Sequence, residues 1–142
     1  MKIVLDTNIL VSGLLTPFGS SGEIVRLVFS NSLTLFLDAR ILSEYRDVLH
    51  CPKFRFNRDD VAVLLDFVEH YGHFVSGSPL HDRLPDRDDE PFIAVAIAGN
   101  VNALITGNAI HFPTDLRKGV RLLSPREFLE FYRCMAIQKT KD

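Results

Sequence analysis

Lys2-Ile3-Val4-Leu5-Asp6-Thr7-Asn8 is the stretch whose reading decides the fold. A short apolar run stopped by an aspartate reads as a buried strand with a carboxylate at its carboxyl end. Immediately after it, Asn8 to Leu15 has helical character and is broken by the turn Thr16-Pro17-Phe18-Gly19. A strand followed at once by a helix is the opening of a β-α unit. The rest of the chain repeats the alternation.

Ser20 or Ser21 can cap a helix carrying Ile24, Leu27 and Val28 as an apolar stripe. Leu33 to Leu37 reads as a second strand, and Asp38 caps a helix to about Leu49 with Ile41, Leu42, Tyr45, Val48 and Leu49 on one face. Cys51-Pro52 stops that helix. Asn57 caps the next, from Arg58 to about Tyr71, and Gly72 ends it. His73 to Val75 is a short strand, and Ser76 to Pro91, with three prolines, is loop. An alanine-rich helix covers Phe92 to Ala98, closed by Gly99-Asn100. Strands follow at Ala103 to Thr106 and Val120 to Leu123. Ser124-Pro125, with Glu127 at the capping-box position, opens the last helix. Alternation of this kind implies an α/β fold, with a mostly parallel central sheet between helical layers. Ligands in such sheets bind beyond the carboxyl ends of the strands. Asp6, Asp38 or the helix it opens, and the Gly107-Asn108 turn are therefore expected to converge.

The 142 residues suit one domain, expected over 1–135, with 136–142 as a frayed tail. With 46% hydrophobic and 24% charged residues, the chain can build one buried core. No run reaches the roughly 18 apolar residues of a membrane helix. Its N-terminus makes a poor signal peptide, because the apolar run ends at Asp6. A cytoplasmic protein that does not engage membranes is expected. Cys51 and Cys134 lie in no paired motif and read as reduced thiols. The net charge of −2 argues against a broad electrostatic footprint on nucleic acid. It does not exclude an acidic nuclease site, where a bound cation reverses the local field.

Chemistry points to the carboxylates. Asp6 follows the first strand, although capping the next helix would explain it equally well. Glu44 flanks the apolar face of its helix, where a solvated glutamate is the plainer account. Asp86, Asp88, Asp89 and Glu90 stand before the alanine-rich helix. The helix dipole favours acids there, but one would suffice. Four acids in five positions repel one another, and Arg83 and Arg87 offset only part of the charge. Hard cations such as Mg²⁺ take oxygen ligands from separate segments. They can lower the pKa of a bound water and stabilise the leaving oxygen of a phosphodiester. The sequence has no GxSxG, P-loop, HExxH or zinc-ligand spacing.

Lys53, Arg55 and Arg58 alternate with Phe54 and Phe56, a pattern that can hold a nucleic-acid backbone and stack bases. The plainer reading is a solvated loop whose phenylalanines enter the core. Arg117, Lys118 and Arg121 read as solvated. His50 and His70 sit near helix C-termini, where a protonated ring favours the dipole; His73 and His81 read as surface residues. His111 lies beyond a strand end and either contacts phosphate or orders its loop.

Taken together, these segments resemble the PIN domain family, in its bacterial and archaeal toxin-like branch. Asp6-Thr7-Asn8 resembles the family's opening, and Ser43-Glu44 its second motif. Asp86-Arg87-Asp88-Asp89 leading into Phe92-Ile93-Ala94-Val95-Ala96 resembles the third. Leu104-Ile105-Thr106-Gly107-Asn108 with His111-Phe112-Pro113 resembles the fourth, and Leu122 to Leu129 the family's ending. The resemblance spans residues 1 to about 131. It implies a three-layer α/β/α sandwich and a ribonuclease dependent on Mg²⁺ or Mn²⁺. RNA would be the substrate, with an antitoxin protein as partner and a homodimer as the assembly. Carried over, Asp6, Glu44 and Asp89 are the catalytic, metal-holding carboxylates. Asp89 is preferred to Asp88 by counting back from Ala96, and Asp86 is a further candidate. The fourth motif departs from the family, which often has aspartate where Asn108 stands. Asparagine offers a carbonyl oxygen without charge, so a second metal would bind more weakly; Asp115 is a candidate substitute. Thr7 and Thr106 are hydroxyls suited to phosphate or to supporting the ligands. Lys53, Arg55 and Arg58 are candidates for substrate binding.

A haloacid-dehalogenase-like phosphatase would need a second aspartate where Asn8 stands. A flavodoxin-like phosphoacceptor gives the downstream acidic cluster no role. A non-catalytic PIN-like binding module, its site weakened by Asn108, is the alternative from another class. The expected reaction is hydrolysis by a metal-activated water, in line with the scissile phosphate, leaving 5′-phosphate and 3′-hydroxyl ends.

Overall fold

Ile3, Val4 and Leu5 are completely buried in the strand Lys2–Leu5 (β1). Successive strand residues point to opposite faces, so β1 is covered on both sides. Continuous burial of this kind belongs to a parallel sheet sandwiched between helices. The computed structural model of the chain describes residues 1–76, 89–107 and 119–141. Among these, Thr34–Leu37 (β2), His73–Phe74 (β3), Ala103–Ile105 (β4) and Leu122–Leu123 (β5) join β1 in one sheet. Its order is β3-β2-β1-β4-β5, and every pairing is parallel.

Helices Thr7–Leu15 (α1), Ser20–Phe29 (α2), Ala39–Leu49 (α3), Arg58–Tyr71 (α4), Glu90–Gly99 (α5) and Pro125–Lys141 (α6) flank the sheet. The α/β architecture is the one the alternation implied. α5 packs on β1, β2 and β4 and also meets α3, while α6 packs on β4, β5 and α2. Phe92, Ile93, Ala94, Val95 and Ala96 are all buried, as befits a helix enclosed by neighbours. At its C-terminal end the absence of a side chain matters: a Cβ on Gly99 would lie 2.4 Å from the Phe36 ring.

Most boundaries fall within a residue or two of those read from the sequence. Asp38 accepts from the Ile41 amide at 3.0 Å, and Asn57 accepts from Asp59 and Asp60, so both cap as expected. Ser124 and Glu127 form the reciprocal capping box of α6. Three local differences stand out. Neither Ser20 nor Ser21 caps α2, whose N-cap is Gly19, with no side-chain hydrogen bond at that position. α5 begins at Glu90 rather than Phe92, because Pro91 occupies the first turn, where its missing N–H costs nothing. Past α3, Pro52–Phe54 forms a 3-10 turn closed by Arg55 in the left-handed region. Asp86, Asp88, Asn108, His111, Asp115 and the basic pair Arg117-Lys118 lie outside the described residues. No helix among the described residues is long and apolar enough to cross a membrane.

Candidate active site

The chain places β1 at the centre, adds β2 and β3 on one side, then returns to place β4 on the other. The crevice where the order reverses opens beyond the carboxyl ends of β1 and β4, the place where such sheets bind ligands. Leu5 pairs with Ile105, so the next residues, Asp6 and Thr106, face one another across that crevice. The Thr106 hydroxyl donates to Asp6 Oδ2 at 2.7 Å, and both residues are buried. Asp6 Oδ1 lies 3.5 Å from the Asn8 amide, too long for an effective cap. Asp6 is thus oriented chiefly by Thr106, and the capping account of it is the weaker one.

Thr7, the next residue, is also buried, and its hydroxyl donates a hydrogen bond to Glu44 Oε2. Glu44 is half-buried on the flank of α3, whose buried face carries Ile41, Tyr45 and Leu49. Tyr45 fixes this relation. Its hydroxyl donates to the Leu5 carbonyl at 2.6 Å in a fully buried setting. One hydrogen bond therefore ties the residue before Asp6 to the residue after Glu44. Burial, and next the charges of Asp6 and Glu44, hold the Tyr45 phenol well above its usual pKa. It remains a protonated donor.

Asp89 is buried at the N-cap of α5, but its side chain does not cap the helix, and its Oδ2 is shut off from solvent. Glu90, beside it, is also buried. A cleft of about 360 Å³ separates α3 from the first turn of α5, walled by Arg40, Glu44, Asp47, Pro91 and Phe92 among others. Asp89 adjoins this cleft through Pro91 and Phe92. Even so, among the described residues no three His, Cys, Asp or Glu side chains gather closely enough to hold a metal ion. Asp6 and Glu44 share a corner; Asp89 is not drawn into one cluster with them. The donors are nonetheless the right kind for Mg²⁺ or Mn²⁺, being carboxylate oxygens from three separate elements.

Elsewhere the sequence readings divide. Asp38, which also follows a strand, is a structural cap whose Oδ2 is paired with Arg40 at 2.7 Å. Lys53, Arg55 and Arg58 are exposed around the 3-10 turn. Phe54 and Phe56 stack on each other and pack against the core, as the plainer reading had it. His50 Nδ1 meets the Arg46 carbonyl at 2.7 Å, a helix-end contact, and His73 stacks on Phe36. Cys51 and Cys134 are free thiols. Tyr45 was legible only as a core residue, and Arg40 was not singled out at all. The signal for Arg40 was its spacing: it stands four residues before Glu44, hence on the same helix face.

These features define an α/β domain with paired carboxylates at the switch point of a parallel sheet. The sequence model of the PIN domain family matches residues 2–109, and the chain belongs to that family. An uncharacterised protein of Methanocaldococcus jannaschii is 28% identical over 111 residues, covering 76% of this chain and 71% of its own. A crystal structure of VapBC2 from Rickettsia felis, bound to a DNA fragment from their promoter, is similar in fold. It matches with a TM-score of 0.59 and 19% identity, over 87% of this chain and 98% of that one.

Proposed function

We propose that the protein is a metal-dependent endoribonuclease in which Asp6, Glu44 and Asp89 hold Mg²⁺ or Mn²⁺. The observation that carries this reading is the pair of threonine-oriented carboxylates: Thr106 on Asp6 and Thr7 on Glu44. Hydroxyl donors that fix ligand oxygens commonly govern metal affinity. Membership of the PIN domain family supports the same chemistry. A divalent cation held there supplies positive charge for the phosphodiester and a water acidic enough to attack it. Asp6 and Glu44 contribute fixed negative oxygens, Thr7 and Thr106 orient them, and Tyr45 keeps the two elements in register. The proposal extends to Asn108 as a ligand offering a neutral oxygen, to Asp86, Asp88 and Asp115 as further candidates, and to His111 as a contact for RNA phosphate or as a residue that orders its own loop. Lys53, Arg55 and Arg58 steer the RNA backbone. The assignment extends to a homodimeric toxin with an antitoxin partner, on the strength of the family resemblance and the fold shared with VapBC2.

The test is incubation of the purified protein with mixed single-stranded RNA and Mn²⁺, beside an EDTA control and Asp6→Asn. Metal-dependent cleavage that Asp6→Asn abolishes, leaving 5′-phosphate ends, is the expected result. A 2′,3′-cyclic phosphate product would contradict the hydrolytic route. The absence of both cleavage and calorimetric metal binding would favour a non-catalytic PIN module.

A further inference from the structure

Beyond the carboxyl ends of β2 and β3 lies a second cleft, of about 390 Å³, walled by Asp38, Arg40, Phe74 and Ser76 among others. Arg40 walls this cleft and also the one beside Glu44. The two spaces therefore adjoin through a single side chain. Among the described residues Arg40 is the one cation in either lining. Its guanidinium is held: Nε and Nη2 both donate to Asp38 Oδ2, at 3.0 and 2.7 Å. Asp38 is itself immobilised by capping α3 through its other oxygen. This contact uses two of the five guanidinium N–H donors, and the side chain is still about half exposed. Phe74 ends β3 with 45% of its surface exposed, unusual for a phenylalanine in a two-residue strand. Its backbone position is fixed, since the Val75 amide bonds to the Leu37 carbonyl. Along the sheet edge the sequence is Phe74 at β3, Arg40 above β2 and Asp6 at β1, with neighbouring strands about 4.8 Å apart.

We propose that Arg40 and Phe74 form a track for single-stranded RNA that leads into the acidic corner, with Arg40 holding a backbone phosphate and Phe74 stacking an unpaired base. The proposal rests on the ribonuclease reading and adds to it the side from which the strand enters and the two residues that hold it. A pre-oriented guanidinium suits phosphate better than a mobile lysine. An exposed ring suits any base, because every base has a π-face. The track requires unpaired nucleotides, since Phe74 has no base to stack on in an intact duplex.

The experiment is fluorescence anisotropy with labelled single-stranded RNA and an RNA duplex, in an Asp6→Asn background that blocks cleavage. In that background Phe74→Ala is expected to weaken single-strand binding about tenfold, and Phe74→Trp to restore it. Duplex binding should change little with Phe74→Ala. Arg40→Gln is expected to weaken binding and lower the slope of log affinity against log salt by about 0.7. Circular dichroism of each variant separates these effects from misfolding. Unchanged single-strand affinity and salt slope in both Phe74→Ala and Arg40→Gln would overturn the track while leaving the ribonuclease reading intact. A parent that binds no RNA overturns both.

Discussion

Asp6 and Asp38 occupy the same place in the chain's logic: each ends a strand, begins a helix and is nearly buried. Their environments are opposite. Asp38 spends one oxygen on the Ile41 amide and the other on Arg40, so its charge is satisfied by a helix N-terminus and a cation. Asp6 makes only a 3.5 Å approach to its own helix, and its firm partner is Thr106, a neutral hydroxyl from the strand across the switch point. No cation is seen paired with Asp6 among the described residues. The local sequence is nearly interchangeable, but the chemistry is not. Strand order makes the difference, because β1 lies next to β4 at the reversal and β2 does not.

The largest expected effects test this contrast directly. Asp6→Asn keeps the shape and removes the charge; it should lower RNA cleavage by at least about 100-fold while shifting the melting temperature little. Asp38→Ala should do the reverse in stability. Losing the cap costs roughly 1 kcal/mol, or about 3 °C for a chain of this size. Its effect on cleavage should come only through Arg40 and RNA affinity. A cleavage loss for Asp38→Ala, measured at saturating RNA, that matched Asp6→Asn would erase the distinction. Thr106→Val, close in volume, removes the hydroxyl that orients Asp6. The expected outcome is a loss of about 10- to 100-fold in Mn²⁺ affinity or activity, measured by calorimetry and by turnover. Wild-type Mn²⁺ affinity in Thr106→Val would mean that Thr106 does not orient a ligand.

The strand–helix alternation was legible because β1, β2 and β4 are continuous apolar runs and three helices begin with recognisable signals. Asp38, Asn57 and Ser124 each act locally, within a few residues of their own backbone, whereas Pro91 reads as loop and lies in the first turn of α5. The sequence also puts Asp6 and Glu44 forward, through motifs in order at family-like spacing, and offers Thr7 and Thr106 as hydroxyls for phosphate or for supporting the ligands. What it could not give was which carboxylate each threonine meets. Thr106 is 100 residues from Asp6, and Thr7 is 37 from Glu44; both contacts depend on strand order. Tyr45 lies on the apolar face of α3 and reads as packing until its hydroxyl is found on Leu5. Arg40 draws no attention in the sequence, and its place shows only in the two clefts that it walls.

Tyr45 joins the two halves of the comparison, since it belongs to the helix opened by Asp38 and bonds to the strand ended by Asp6. Tyr45→Phe retains the ring and removes that bond. The expected stability cost is about 1 kcal/mol, the usual net worth of one buried hydrogen bond, read by urea denaturation. Cleavage should fall through kcat rather than KM, because the substrate surface is unchanged while Glu44 and Asp6 lose their common tether. A rise in KM alone, with kcat unchanged, would place Tyr45 in packing and not in positioning.

The smallest effect comes from a third helix start, where the acid is fully solvated. Glu127 accepts from the Ser124 amide at 2.9 Å, and the Ser124 hydroxyl accepts from the Glu127 amide at 3.1 Å. The backbone hydrogen bond from Ser124, and next the Ser124 side chain, hold the Glu127 carboxyl below its usual pKa. A depressed folded-state pKa means that the unfolded chain binds the proton more readily. The contribution is therefore fully present above the unfolded value of about 4.3 and is lost as pH falls through the lower, folded one. Glu127→Gln should lower the melting temperature slightly and evenly above about pH 5, and the gap to wild type should close on acidification. A gap that persists undiminished at pH 3 would show that the carboxylate charge is not what stabilises α6. At Asp6 the proposed order is inverted: Asp6→Asn is expected to cost cleavage far more than stability.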